Sequence, residues 1–226
     1  IAGPKVLEHL VDVVLNFEGD RYGGFRVVRA QKNRYGSTNE AAIFEMDEDG
    51  LRIVKNPSAS LLAERQNLDG SIVLATLEGA RPLLVEIQAL VNQTNFGYPK
   101  RAASGFDLNR LNLLVAVLEK RTKLSLADKD IYVNVVGGLK LSDPAADLAV
   151  AMAVASASAG RSLGDGAVVF GEVGLGGEVR SAQGWHTRIK EAKKLGFTYA
   201  IAPKTHKDPF IKGVADLRQA LIDYLQ

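Results

Sequence analysis

The chain has 226 residues, of which 28 are Lys or Arg, 26 are Asp or Glu, none is Cys and 46% are hydrophobic. This composition excludes wholesale disorder, a disulfide scaffold and Cys-ligated zinc. The net charge of +2 does not by itself indicate nucleic-acid binding. No apolar run approaches the roughly 20 residues of a membrane-spanning helix. Because the first residue is also not Met, we expect a soluble, cytoplasmic piece of a longer protein.

The first part of the chain is predicted to form strands with no helix between them. β-branched and apolar residues dominate 11–18, 25–31, 41–46 and 51–54. Turn residues separate these strands, the first turn covering 18–24. Short strands of this kind cannot bury a core alone, so the segment needs a partner. Asn56-Pro57-Ser58 interrupts the pattern and predicts a boundary between one domain over residues 1–58 and a second over residues 59–226.

From residue 59 onwards, predicted strands and helices alternate. The predicted strands cover 71–78, 83–91, 131–136, 168–173 and 199–202. The predicted helices cover 61–64, 107–121, 142–160, 185–195 and 214–225. Asp107 can cap one helix, and Pro144 fits the first turn of the next. The predicted fold class is therefore α/β or α+β.

The densest polar cluster lies at the end of the second predicted strand. It comprises Arg26, Arg29, Lys32, Asn33, Arg34, Tyr35 and Gly36. Strand alternation places Arg26 and Arg29 on opposite faces. The Lys32–Gly36 loop could hold a phosphate through its two cations, with its Tyr available for stacking. The alternative is a solvated loop whose cations pair with Asp20 or Glu40, each exposed pair contributing only about 0–1 kcal/mol.

A second basic group is centred on the predicted helix at 185–195. Its members are Arg180, His186, Arg188, Lys190, Lys193, Lys194, Lys204, His206 and Lys207. The lysines at 190, 193 and 194 share a helix face that could follow a phosphate backbone. A solvated helix face is the alternative. Lys120, Arg121 and Lys123 lie at the C-terminal end of another predicted helix, where interaction with the helix dipole explains them better than DNA binding. For Trp185, packing is a better explanation than base stacking.

Residues 1–58 resemble the end of the RecA-like ATPase core in the RadA (Sms) family of bacterial DNA repair proteins. The matching runs are residues 2–9, 11–12, 17–21, 32–36, 38–40 and 43–46. The family motif is Lys-Asn-Arg-Phe-Gly, and this chain keeps an aromatic ring with Tyr35. The resemblance, which extends through the whole chain, implies that Lys32 and Arg34 couple ATP hydrolysis to movement along DNA. Either cation could reach the nucleotide of a neighbouring subunit or a DNA phosphate.

Residues 59–226 resemble the proteolytic domain of Lon, which has a ribosomal protein S5 domain 2-like fold. In Lon a Ser nucleophile follows Gly-Pro near a helix start, and a Lys lies further along the chain. Ala145 falls at the place of the Ser, Asp147 replaces a Gly, and His186 falls at the place of the Lys. A Ser–Lys dyad needs a hydroxyl in contact with an amine, and Ser142 lies too early to substitute. We therefore expect no peptidase activity and no catalytic residue in this chain.

The resemblance to RadA also implies an activity and partners for the parent protein. These are ATP-driven branch migration as a helicase in DNA repair and recombination, in a homo-hexameric ring on single-stranded and branched DNA, with the recombinase RecA as a partner. The Lon-like domain would then be a ring scaffold and a DNA-binding surface. The first alternative is a ring that only organises assembly and touches no DNA. The second alternative, an ATP-dependent serine peptidase, is a third class of function and is disfavoured.

The resemblance to RadA implies that the parent protein uses ATP and Mg²⁺, bound mostly by residues that precede this sequence. It also implies a four-Cys zinc finger in that preceding part. Within the chain, Gly137-Gly138 and the Gly-rich stretch 171–177 lack the Lys-Ser/Thr of a phosphate loop. Three His and no Cys offer no metal-ligand spacing. We therefore expect no metal site in this chain and no ATP hydrolysis by it alone.

Overall fold

A computed structural model of the protein describes residues 4–19, 24–95 and 97–225. The predicted turn at 18–24 lies partly outside the described residues, and Asp20 lies wholly outside them. An antiparallel sheet comes first, in the order β1-β2-β3-β4. Its strands are β1 (Val13–Glu18), β2 (Phe25–Asn33), β3 (Ala41–Asp47) and β4 (Gly50–Ile53). A short helix that the sequence did not predict, α1 (Pro4–Leu10), precedes it.

Among the described residues, one face of this first sheet is buried and the other is largely exposed. Val27 and Ile43 pair across β2 and β3 and are both buried. The opposite face carries Leu15, Phe17 and Ile53, which are 54%, 58% and 57% exposed. An apolar face this exposed fits the sequence-based expectation that the segment needs a partner.

The second sheet has seven strands in the order β13-β12-β9-β5-β6-β8-β7. They are β5 (Ser71–Glu78), β6 (Arg81–Gln93), β7 (Arg101–Ser104), β8 (Lys129–Val135), β9 (Ala167–Val169), β12 (Tyr199–Pro203) and β13 (Ile211–Val214). The strand β6 pairs antiparallel with β5 and β8, and the remaining pairs are parallel. A separate ribbon joins β10 (Glu172–Val173) to β11 (Val179–Arg180). The mixed α/β fold class is confirmed.

Five helices belong to the same part of the chain as this second sheet. They are α2 (Pro57–Leu62), α3 (Leu108–Thr122), α4 (Asp147–Ala159), α5 (Trp185–Lys194) and α6 (Leu217–Tyr224). The strand β6 is contacted by α2, α4 and α5. Five successive residues of β6, from Leu83 to Ile87, are buried, so both faces of the strand are covered at that point.

Several predicted elements are confirmed, and others differ for reasons visible in the backbone. Asp107 caps α3 by accepting a hydrogen bond from the Arg110 amide at 2.8 Å, and α4 ends at Gly160 with φ of 63°. The predicted strand 168–173 is divided into β9 and β10. This happens because the Gly171 amide leaves the sheet and donates to the Ala145 carbonyl at 2.8 Å.

Three other differences concern element ends and edge strands. The strand β2 continues past a bulge at Gln31 and pairs with β1 as far as Asn33, so Lys32 and Asn33 lie in the strand and not in a loop. The helix α6 begins at Leu217 instead of 214, because Val214 belongs to β13 and Asp216 is the N-cap. The edge strands β7 and β13 were not predicted.

The two sheets share contacts and one hydrophobic core cluster. The Ser58 hydroxyl, in α2, donates to Glu191 of α5 at 2.8 Å. Arg29 of β2 pairs with Glu78 of β5. The domain boundary at residue 58 stays a prediction.

Candidate functional site

The Lys32–Gly36 motif contacts α1 and the connection between α1 and β1. The Lys32 ammonium donates to the Glu8 carbonyl at 2.7 Å. The Arg34 guanidinium lies 2.9 Å from Asp12, and the Tyr35 hydroxyl donates to the same carboxylate at 3.2 Å. The Asn33 side chain accepts the Tyr35 amide at 3.0 Å, which shapes the turn before Gly36.

Two side chains of the motif remain accessible to a ligand. The Arg34 side chain is 60% exposed, and Tyr35 is 81% exposed. An exposed ion pair contributes only about 0–1 kcal/mol, so a phosphate could displace Asp12 from Arg34. Asp12, and not the expected Glu40, is the described partner of Arg34, and Asp20 lies outside the described residues.

The strand arginines differ in how they are held. Arg26 donates to the Phe25 carbonyl at 2.9 Å. Arg29 is bound by two carboxylates, Glu18 at 2.9 Å and the buried Glu78. Burial raises the pKa of Glu78 above its usual value, although the neighbouring Arg29 charge acts in the opposite direction. Arg29 therefore links the two sheets, and a DNA contact there would have to break this link.

A cleft of about 410 Å³ lies where the lost nucleophile was expected. Asp143, Ala145, Glu172, Ser181 and Arg188 are among the residues that line it. Asp143 begins a 3-10 turn (Pro144–Ala146), and one of its oxygens accepts the Ala145 amide at 3.0 Å. This bond fixes the turn and leaves the methyl group of Ala145 where a hydroxyl would be needed.

Arg188 is the cation behind this cleft. It donates to Asp143 at 2.6 Å, to the Ala75 carbonyl at 2.7 Å and to the Gln183 carbonyl at 3.0 Å. Burial opposes ionisation of Asp143, but the hydrogen bond and charge of Arg188 outweigh it and hold the pKa of Asp143 below its usual range. The pair therefore ties the 3-10 turn to β5 and to the loop before α5.

Two predictions for α5 require correction. Arg188 was a DNA-binding candidate, but its side chain is 1% exposed and cannot reach a phosphate. His186 was expected opposite Ala145, but it lines a different groove. Positions 186 and 188 lie about 200° apart on a helix, so the turn that exposes His186 brings Arg188 into the cleft.

A Ser–His contact in the cleft was missed by sequence reasoning. The Ser181 hydroxyl lies 3.4 Å from Nε2 of His206, and the same nitrogen accepts the Ala182 amide at 3.1 Å. Burial and the charges of His186 and Arg188 lower the pKa of His206. Because the lone pair of Nε2 is already engaged, His206 is a poor base for activating Ser181. Ser181 and His206 are 25 positions apart in the sequence, so no local pattern indicates that their side chains meet.

The outer side of α5 carries three exposed lysines, Lys190, Lys193 and Lys194, which we call the α5 basic surface. Lys193 lies 3.4 Å from Asp208, and Lys194 lies 3.8 Å from Glu191. Lys190 has no polar partner within the described part of the chain. The predicted shared face is therefore present, with one cation fully available for a ligand.

The remaining predicted residues are placed as follows. Arg180, in β11, is exposed and its Nε donates to Glu178 at 3.0 Å. Trp185 packs partly against the core, as predicted.

Within residues 4–19, 24–95 and 97–225, no group of three or more His, Asp or Glu could hold a metal ion. None of the helices in those ranges is long and apolar enough to cross a membrane.

The fold and site define a mixed α/β protein with a cleft that lacks a working nucleophile–base pair among its described residues. A family model described as subunit ChlI of Mg-chelatase matches residues 110–206. The chain is 50% identical to the DNA repair protein RadA of Bacillus subtilis over 98% of this chain and 50% of that protein. It is also 50% identical to the Aquifex aeolicus RadA, over 91% of this chain and 46% of the relative.

A third relative, the RadA of Halalkalibacterium halodurans, is 52% identical over 90% of this chain and 45% of its own length. The chain is thus similar in sequence to bacterial DNA repair proteins named RadA. It spans about half the length of the curated relatives that it matches.

Proposed function

We propose that this chain is the DNA-binding and scaffold part of an ATP-dependent DNA repair protein. The observation that carries the proposal is the α5 basic surface, whose three lysines are exposed while Arg188, Ile189 and Ala192 of the same helix are buried. Three cations within about one turn of a helix can contact neighbouring phosphates of a sugar–phosphate backbone. The matched relatives are named DNA repair proteins, which supports DNA as the polyanion.

The parent protein would use ATP and Mg²⁺ to drive branch migration as a homo-hexamer, with RecA as a partner. No phosphate-loop sequence occurs in this chain, so nucleotide and metal would be bound by the remainder of the parent, and zinc likewise. The exposed apolar face around Leu15, Phe17 and Ile53 supports this division, because the rest of an ATPase core would cover it.

The Lys32–Gly36 motif would connect the two activities. Arg34 is the residue best placed to contact a phosphate, because its only described partner is the exposed Asp12. The phosphate would belong either to the nucleotide of a neighbouring subunit or to DNA. Lys32 would act mainly by holding the motif on the Glu8 carbonyl.

The second sheet and its helices would form an inactive Lon-like domain. Ala145 in place of a hydroxyl, and the buried Asp143–Arg188 pair behind it, support a scaffold and oppose a peptidase. A scaffold that touches no DNA is the competing function. It is favoured by the pairing of Lys193, Lys194 and Arg180 with carboxylates.

Fluorescence anisotropy with labelled single-stranded DNA over a salt series separates the two. We expect affinity to fall with salt, with a slope of about −0.7 in log affinity per log salt for each phosphate neutralised. Replacing Lys190, Lys193 and Lys194 by Ala should weaken binding and flatten the slope. A Lys120→Ala, Lys123→Ala variant, which removes two exposed lysines at the C-terminal end of α3, is the control and should bind as the wild type does. Absence of binding at low salt would instead support the assembly-only scaffold.

A further inference from the structure

Three aromatic rings stack at the beginning of α5. The ring centroid of Trp185 is 3.4 Å from that of His186 and 5.0 Å from that of His206. His206 is buried, Trp185 is half-buried and His186 is exposed. The stack therefore runs from the core to the surface and ends on the imidazole of His186.

His186 acts on its charged neighbours only through space. Neither of its ring nitrogens makes a hydrogen bond or ion pair within the described residues. Its ring is held by the contact with Trp185, whose other neighbour is His206. An exposed ring supported in this way can accept another flat group.

A groove of about 240 Å³ opens beside this ring. It is lined by His186, Ile189, Lys190, Lys193 and Asp208. Ile189 is buried and gives an apolar floor, while both lysines are exposed. A water occupies roughly 30 Å³ in the liquid, so the groove has room for about eight non-hydrogen atoms, the size of one pyrimidine base.

The polar groups of the groove are arranged around this apolar centre. The Asp208 carboxylate accepts the Phe210 amide at 2.8 Å and lies 3.4 Å from the Lys193 ammonium, so it is already compensated. The Lys193 ammonium also lies 5.1 Å from the centre of the Phe210 ring. Lys190 therefore provides the positive charge that the groove does not neutralise internally.

We propose that this His186 groove takes one unpaired base of single-stranded DNA. The base stacks on His186, and Lys190 and Lys193 contact the phosphates next to it. The inference rests on the proposed DNA binding by the α5 basic surface, and it adds recognition of the base itself. A base inside a duplex is already paired and stacked, so this site selects single strands.

Two probes of equal length and charge test the inference on the whole chain. One is a labelled oligothymidylate, and the other is an abasic deoxyribose-phosphate strand. We expect the wild type to bind the abasic strand about fivefold or more weakly, since one base–aromatic stack is worth at least that factor. His186→Ala should lose this preference by weakening only the oligothymidylate complex. His186→Phe, which keeps a flat ring, should restore it.

Trp185 provides an independent signal because it is the only Trp of the chain. Its emission should change when oligothymidylate binds and stay unchanged with the abasic strand. Far-UV circular dichroism of both His186 variants controls for folding.

The failure of this inference is distinguishable from that of the proposed function. Equal affinity for both strands, unaffected by His186→Ala but lost in the lysine variant, would overturn the base site and leave the phosphate surface standing. Failure of both strands to bind at low salt would overturn the DNA-binding proposal and this inference with it.

Discussion

Replacing Arg188 by Met removes a cation that is 1% exposed and leaves its carboxylate partner in place. Asp143 keeps hydrogen bonds from the Thr76 hydroxyl at 3.1 Å and the Leu77 amide at 3.0 Å. The Ala75 carbonyl loses its donor from Arg188. Removing one partner of a buried pair costs about 3–5 kcal/mol. Because Asp143 remains partly compensated, we expect a loss near the lower end, about 3 kcal/mol in the free energy of unfolding.

Urea unfolding followed by far-UV circular dichroism measures this loss. Arg52→Met is the matched control, because Arg52 lies 3.4 Å from Glu45 on the surface and its removal should cost about 0–1 kcal/mol. Adding Asp143→Asn to Arg188→Met should recover part of the loss, since the two positions are directly coupled. An Arg188→Met variant that is as stable as the control would refute the reasoning.

The stabilisation that the Asp143–Arg188 pair contributes should depend on pH in a defined direction. The folded-state pKa of Asp143 is lowered, so the stabilisation is complete above the unfolded value of about 3.9. It is lost as the pH falls through the lower, folded-state pKa. The stability difference between the wild type and Asp143→Asn should therefore stay constant from neutral pH to about 4 and shrink only below it.

The remaining predictions concern the motif, the cleft and the link between the sheets. In a full-length parent, Lys32→Ala and Arg34→Ala should each reduce ATP-coupled unwinding of branched DNA without unfolding the protein; unwinding at the parent rate would contradict the motif's role. Ala145→Ser should cleave no labelled casein, because no Lys amine lines this cleft among the described residues, and cleavage by this variant would show that the cleft is misread. The raised pKa of Glu78 means that its folded form binds more protons. Stability relative to Glu78→Gln should therefore fall as the pH rises from about 4.3 through the folded-state pKa, and a flat difference would refute this.

The helices α3 and α4 were predictable because their signals are local. Asp107 caps the Arg110 amide three residues later, and Gly160 ends α4 with a positive φ. The strand β7 gave no such signal, since Arg-Ala-Ala-Ser has little apolar character and is defined only by pairing with β8. The division of the predicted strand at Gly171 likewise depends on Ala145, which is distant in sequence.

The candidate site was predicted less completely, although part of the missing information was in the sequence. Trp185, Ile189 and Ala192 recur at helical spacing and define the inward stripe of α5. Arg188 lies within that stripe, so its burial could have been anticipated from the period alone. The Ser181–His206 contact could not, because it depends on how the loop before α5 meets the loop after β12.

The two sides of α5 therefore have separable roles. Arg188 faces inward and stabilises the cleft through Asp143, whereas Lys190 faces outward and makes no polar contact with the described residues. Substitutions on the outer side should change DNA binding at constant stability, since surface changes usually stay within about 0.5 kcal/mol. Those on the inner side should change stability first. A DNA-binding loss in the lysine variant can consequently be attributed to the surface itself if its urea midpoint matches that of the wild type.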